Sequence, residues 1–118
     1  MKELLISILE LFVGDNVFLQ GTMNPDEAYP AKFCTFFVNS SPFDGFYDGD
    51  ATKIDWSIAV MFYSNNPIEV LTVPPQIVRA LKGAGFIPTN AGVDVISDVE
   101  THTGWAMDFR FIEEYEKE

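Results

Sequence analysis

Ala51-Thr-Lys-Ile-Asp-Trp-Ser-Ile-Ala-Val-Met-Phe-Tyr-Ser64 is the stretch whose reading decides the fold. Ile54, Trp56, Ile58, Val60 and Phe62 fall on one face, and Asp55, Ser57, Ala59, Met61 and Tyr63 on the other. That is the period-two pattern of a half-buried strand. The run before it, Lys32 to Asn39, is apolar on both faces and reads as a second strand, so the two pair naturally as a long hairpin. Between them lies Asn39-Ser-Ser-Pro-Phe-Asp-Gly-Phe-Tyr-Asp-Gly-Asp50, a connection longer than a hairpin needs. Pro42, Gly45 and Gly49 mark it as turn-rich, yet it holds three aromatic side chains and three aspartates. A loop needs no aromatics for its own sake. Phe43, Asp44, Phe46, Tyr47 and Asp48 are therefore candidate interface residues, with an aromatic cluster folded back on the sheet as the alternative.

Downstream, Asn66-Pro-Ile-Glu69 carries an N-cap residue, proline at the first helical position and an acid three residues after the cap. These predict a helical turn to about Leu71, interrupted at Pro74-Pro75. A helix over Pro75 to Ala84 follows, with Ile77, Ala80, Leu81 and Ala84 on one face, and Gly83 and Gly85 end it. Phe86 is placed to pack back on it. After a turn over Pro88 to Gly92 come two strands, Val93 to Ile96 and Gly104 to Ile112, the latter with Trp105, Met107, Phe109 and Phe111 on one face.

Upstream, Leu5, Ile8, Leu9 and Phe12 fit one face of an N-terminal helix that Gly14 stops. Leu4, Ile6, Leu11 and Val13 widen its apolar surface beyond what one sheet contact requires. Val17 to Gln20 reads as a short strand and Gly21 to Glu27 as a loop. The expected architecture is a single α+β domain over residues 1–118. Its sheet is largely antiparallel or mixed, with the N-terminal helix and a second helix packed on one face. Residues 39–50 form an extended loop and 113–118 a charged, frayed tail.

Composition supports one hydrophobic core in the 118 residues, 47% of them hydrophobic. Eleven phenylalanines are a surplus for that size, pointing to apolar surface that a partner covers. The net charge is −11, and the eighteen acids divide nine and nine between the halves of the chain. Such a surface does not hold nucleic acid by counterion release and is repelled by anionic membranes. Met1 to Val13 does not read as a signal peptide, because Glu3 and Glu10 interrupt it. No segment is long enough to span a membrane as a helix. Cys34 is the single cysteine, set in an apolar strand where a thiol is an inert hydrophobe, which fits synthesis in a reducing cytoplasm.

The sequence offers little catalytic chemistry. Asp98, Glu100 and His102 alternate and would point one way in an extended segment, with Asp94 nearby. Their spacing matches no zinc or calcium motif, so a polar turn is the favoured reading. Asp44, Asp48 and Asp50 depart from a calcium loop at Gly49 and lack its terminal glutamate. One histidine with no nucleophile turn beside it, and no glycine-rich phosphate loop, leaves a non-enzyme with no cofactor and no metal.

The order of these pieces resembles the tail terminator, or tail completion, proteins of long-tailed bacteriophages, also described as head-tail joining proteins. The residues that carry the resemblance are the N-terminal helix and the strand Trp56-Ser-Ile-Ala-Val-Met-Phe-Tyr-Ser64. Asn66-Pro67 follows, then the helix end Ala80-Leu-Lys-Gly-Ala-Gly-Phe86, then Asp98-Val-Glu-Thr-His-Thr-Gly104 leading into an aromatic strand. No single motif among them is specific; the order makes the match. The resemblance implies a virion structural protein that assembles as a ring, commonly hexameric, at the head-proximal end of the tail. Its implied partners are the tail tube protein and head connector proteins, with DNA passing through the lumen without specific binding and no membrane involved. Two other readings stand beside it, another phage connector or tail-tube adaptor subunit, and an acidic DNA-mimicking inhibitor.

Overall fold

The computed structural model describes residues 1–19, 30–44, 52–96 and 101–114. In chain order they form α1 (Lys2–Val13), β1 (Val17–Leu19), β2 (Lys32–Ser40), β3 (Phe43–Asp44), β4 (Lys53–Ser64), α2 (Pro67–Gly83), β5 (Ile87–Pro88), β6 (Val93–Ile96) and β7 (Thr103–Glu114). The alternating stretch is the centre of the sheet. β4 pairs with β2 on one side and with β7 on the other, the latter without a break from Lys53↔Glu114 to Ser64↔Thr103. The order is β1-β2-β4-β7-β5, with β3 also on β4 and β6 also on β7. β1 runs parallel to β2, and the other pairings are antiparallel. A twelve-residue strand spans about 40 Å at roughly 3.3 Å per residue. The molecule is correspondingly long, 53 × 29 × 22 Å.

The face of β4 marked by the alternation is the core face: Ile58, Val60 and Phe62 are fully enclosed. They pack with Cys34 and Phe36 of β2, Met107 and Phe109 of β7, Leu5 and Leu9 of α1, and Ile77 and Leu81 of α2. Both helices thus lie on one side of a mixed sheet, the α+β arrangement expected. In α1, Leu5, Ile8, Leu9 and Val13 are the buried residues, and Gly14 ends the helix at φ +61°. Val13, rather than Phe12, completes the buried stripe.

Four local expectations need correction. The first is α2, which is one unbroken helix through Pro74 and Pro75. Its start is as read: the Asn66 side-chain oxygen accepts from the Ile68 N–H at 3.0 Å, and Pro67 occupies the first turn. The two inner prolines withdraw the N–H groups that would reach the carbonyls of Val70 and Leu71, at a cost of about 3 kcal/mol each. Against this, Val70, Pro74, Ile77 and Leu81 form one buried stripe, and enclosing such side chains contributes about 1.5–3 kcal/mol apiece. Packing outweighs local propensity here.

The second correction is the connection over 39–50. β2 extends to Ser40 through a register shift between Val38 and Ser40. The chain then stays on β4, with the Asp55 N–H donating to the Pro42 carbonyl at 2.9 Å and Phe43 opposite Ile54. The first part of the expected loop is therefore a bulged continuation of the strand. The third is the tail: Glu113 and Glu114 belong to β7, and Trp56 Nε1 donates to Glu113 Oε2 at 2.8 Å. The expected turn from Pro88 also begins later, because Ile87–Pro88 pairs with Arg110 and Phe109 at the sheet edge, where a proline is tolerated.

Candidate interaction surfaces

Cys34 and His102, the single cysteine and histidine, are both held within the packed structure. Cys34 is enclosed in the core, and burial pushes its thiol from an ordinary 9.0 up to about 12. A thiolate is the reactive form, so the folded protein is expected to resist alkylation at mildly alkaline pH and to react once unfolded in denaturant. Rapid alkylation of the native chain would contradict the enclosed thiol. The same shift has a consequence for stability. Below about pH 9 the thiol is neutral in both states; above it the unfolded chain releases a proton that the folded chain retains. Stability therefore falls as pH rises from 9 towards 12.

His102 is buried, with Nε2 2.7 Å from the Pro30 carbonyl oxygen and Nδ1 2.9 Å from Thr101 Oγ1. A carbonyl only accepts, so Nε2 carries the proton; in the neutral ring Nδ1 accepts from the threonine hydroxyl. The ring also packs on Phe33, centroids 5.8 Å apart. The Nε2 contact ties the residues before β7 to the segment before β2, the Nδ1 contact stays within the former, and a metal would have to break one of these bonds. Asp98 and Glu100 lie outside the described residues, and Asp94 is exposed on β6.

Of the candidate interface residues, Phe43 stands on β3 with 53% of its surface exposed. Asp44 lies opposite Lys53 in the same short pairing. Phe46, Tyr47 and Asp48 lie outside the described residues. Apolar side chains also face solvent on the helices: Leu4 and Leu11 on α1, Ile68 and Leu71 on α2, with Leu71 75% exposed. Of the four residues expected to widen α1's apolar surface, Leu4 and Leu11 are exposed, Ile6 packs partly buried against the core and Val13 is within it.

One end of the sheet face away from the helices is apolar, while Asp55, Ser57, Asp108 and Arg110 stand on the other. Phe33, Tyr63 and Gly104 stand side by side on it, as do Met61 and Ala106. Phe33 stacks on Tyr63 at 4.9 Å, and a Cβ on Gly104 would lie 2.6 Å from the Tyr63 ring. The tyrosine fills the space that a side chain at 104 would need.

A groove that sequence reasoning missed opens between α2 and the strand edge. It has a volume of about 390 Å³ and is lined by Val70, Leu71, Pro74, Pro75, Val78, Arg79, Ala91 and Trp105. Trp105 is fixed by donating from Nε1 to the Ala91 carbonyl at 3.1 Å. Gly92 beside it has φ +113°, and a Cβ there would run into the indole. The available signal was Pro74-Pro75 on an apolar stripe with a tryptophan on a facing strand, hidden by reading the prolines as a helix break.

No protein-family model and no curated protein matches this chain. The functional reading therefore rests on the molecule's own surfaces and on the order of its elements.

Several acids among the described residues have partners. Asp55 takes both a 2.6 Å and a 3.2 Å contact from Arg110, Glu69 lies 3.7 Å from Lys32, and Asp108 accepts from Asn90 at 2.7 Å. These residues are spread over β4, α2 and β7. Arg79, in the groove, has no ion-pair partner among the described residues.

Proposed function

We propose that this protein is a ring-forming structural subunit of a phage virion. It would sit at the head-proximal end of the tail, where it terminates the tail tube and joins it to the head. The observation that carries the reading is the element order on an elongated sheet: a helix, a long hairpin, a second helix and closing strands, with an exposed aromatic where the hairpin leaves β4. Support also comes from the apolar groove and the solvent-facing leucines, more uncovered apolar surface than a solitary subunit needs. In this reading the net charge of −11 gives a lumen wall to which DNA does not adhere. Tail tube and connector proteins are its partners, and it performs no catalysis.

Native mass spectrometry with negative-stain images of the purified protein tests the proposal. The expected result is a closed ring with a central hole. A compact monomer or dimer that never adds to tail tubes would overturn it and favour the inhibitor reading.

A further inference from the structure

We infer that the groove between α2 and Trp105 takes an extended segment of a partner protein, which adds to the free edge of β6 as a further strand. The inference goes beyond the virion reading and does not depend on it. Among the described residues β6 pairs with β7 alone, which leaves the backbone groups on its outer side open. Sheet edges are commonly blunted by proline or lysine, as Pro88 blunts β5; Val93-Asp-Val-Ile96 has neither. The groove borders this edge. Ala91, just before β6, is part of its lining, and Trp105 stands opposite Asp94 in the sheet. An open edge calls for another extended backbone, the one ligand whose donors and acceptors repeat at the spacing of a strand.

The dimensions agree. The edge has four residues and runs for about 13 Å, at roughly 3.3 Å per residue. The α2 wall from Val70 to Arg79 runs for about 14 Å, at roughly 1.5 Å per residue. A strand laid along β6 turns every second side chain towards the helix layer, where Leu71, Pro74, Val78 and Trp105 offer apolar surface. Those positions of the segment are therefore apolar. Charge adds one more requirement. Arg79 is exposed in the groove with no ion-pair partner among the described residues, and Asp94 is the only charge on β6. An acid on the segment complements Arg79, while a second acid beside Asp94 would be repelled. Backbone bonding thus supplies affinity, and the groove with its cation selects the sequence.

The probe is the acidic peptide acetyl-Thr-Leu-Thr-Leu-Thr-Glu-Thr-amide, added to the full chain and followed by the NMR signals of the Trp105 indole and the β6 amides. The indole should shift with a dissociation constant at or below about 1 mM, and the outward amides of β6 should exchange more slowly. N-methylating one leucine and the threonine beside it removes a donor whichever of the two faces β6, and should weaken binding at least about tenfold. A peptide with lysine in place of glutamate should bind about three- to fivefold more weakly. On Arg79→Glu the order of the acidic and lysine peptides should reverse. Arg79 is exposed, so this variant should keep the parent's circular dichroism and melting temperature. No saturable shift up to about 1 mM, undiminished binding after N-methylation, or the same peptide order on both proteins would overturn the inference. Protection of the β6 amides that rises with protein concentration alone would give the edge to a second copy and overturn it as well.

Discussion

Phe62→Ala is expected to remove about 3–5 kcal/mol of stability, which for a domain of this size is a large part of a total of about 5–15 kcal/mol. Phe62 is fully enclosed, stands between Cys34 and Trp105 on the adjoining strands, and belongs to the cluster that both helices complete. Removing the ring empties the place where helices and sheet meet, and a core fixed by two packed layers collapses onto the void only in part. Urea unfolding followed by Trp56 and Trp105 fluorescence provides the measurement. The midpoint should fall sharply with the slope unchanged. Leu11→Ala, at a residue 78% exposed, should move stability by no more than about 0.5 kcal/mol. Equal shifts for the two variants would show that Phe62 is not the keystone of the core.

The contrast between Phe62 and Leu11 also marks what was legible in the sequence. The alternation over Ile54 to Phe62 identified the central strand and its inward face, because a buried face leaves a strict period in the chain. The run Trp105, Met107, Phe109 and Phe111 did the same for β7, which shares the sheet register residue by residue. Local chemistry misled where tertiary packing overrode it. Pro74-Pro75 reads as a break in any isolated helix, yet the stripe from Val70 to Leu81 holds α2 together across it. Asn39 to Asp44 reads as loop by its Asn, Ser and Pro content, yet the long β4 offers an edge on which Phe43 and Asp44 pair. The groove was invisible for the same reason as the continuous helix, since its wall exists only if α2 runs straight past Trp105. Nothing in the spacing announced that a histidine near three acids would spend both nitrogens on a carbonyl and a hydroxyl.

Pro75→Ala is expected to raise stability by about 1–3 kcal/mol while weakening capture of the acidic peptide. Proline in a helix interior costs about 3 kcal/mol relative to alanine, and a flexible replacement returns part of that gain to the unfolded chain. Pro75 is exposed, so its loss removes little from the core, and the new N–H can reach the Leu71 carbonyl. Pro74 differs: its ring is buried in the stripe with Val70 and Ile77, so at Pro74→Ala the recovered hydrogen bond is offset by a cavity and the net change should be near zero. Thermal melts of the two variants separate these cases. Pro75 also forms part of the groove wall, so the stabilised variant should bind the peptide more weakly than the parent. A higher melting temperature with undiminished binding would mean that the peptide does not touch this wall. A lower melting temperature would mean that α2 depends on its prolines for the path it takes past Trp105. The expected pairing, firmer helix and poorer contact, is the behaviour of a binding surface kept at some cost in stability. It links the paired prolines of α2 to the apolar groove that they help to line.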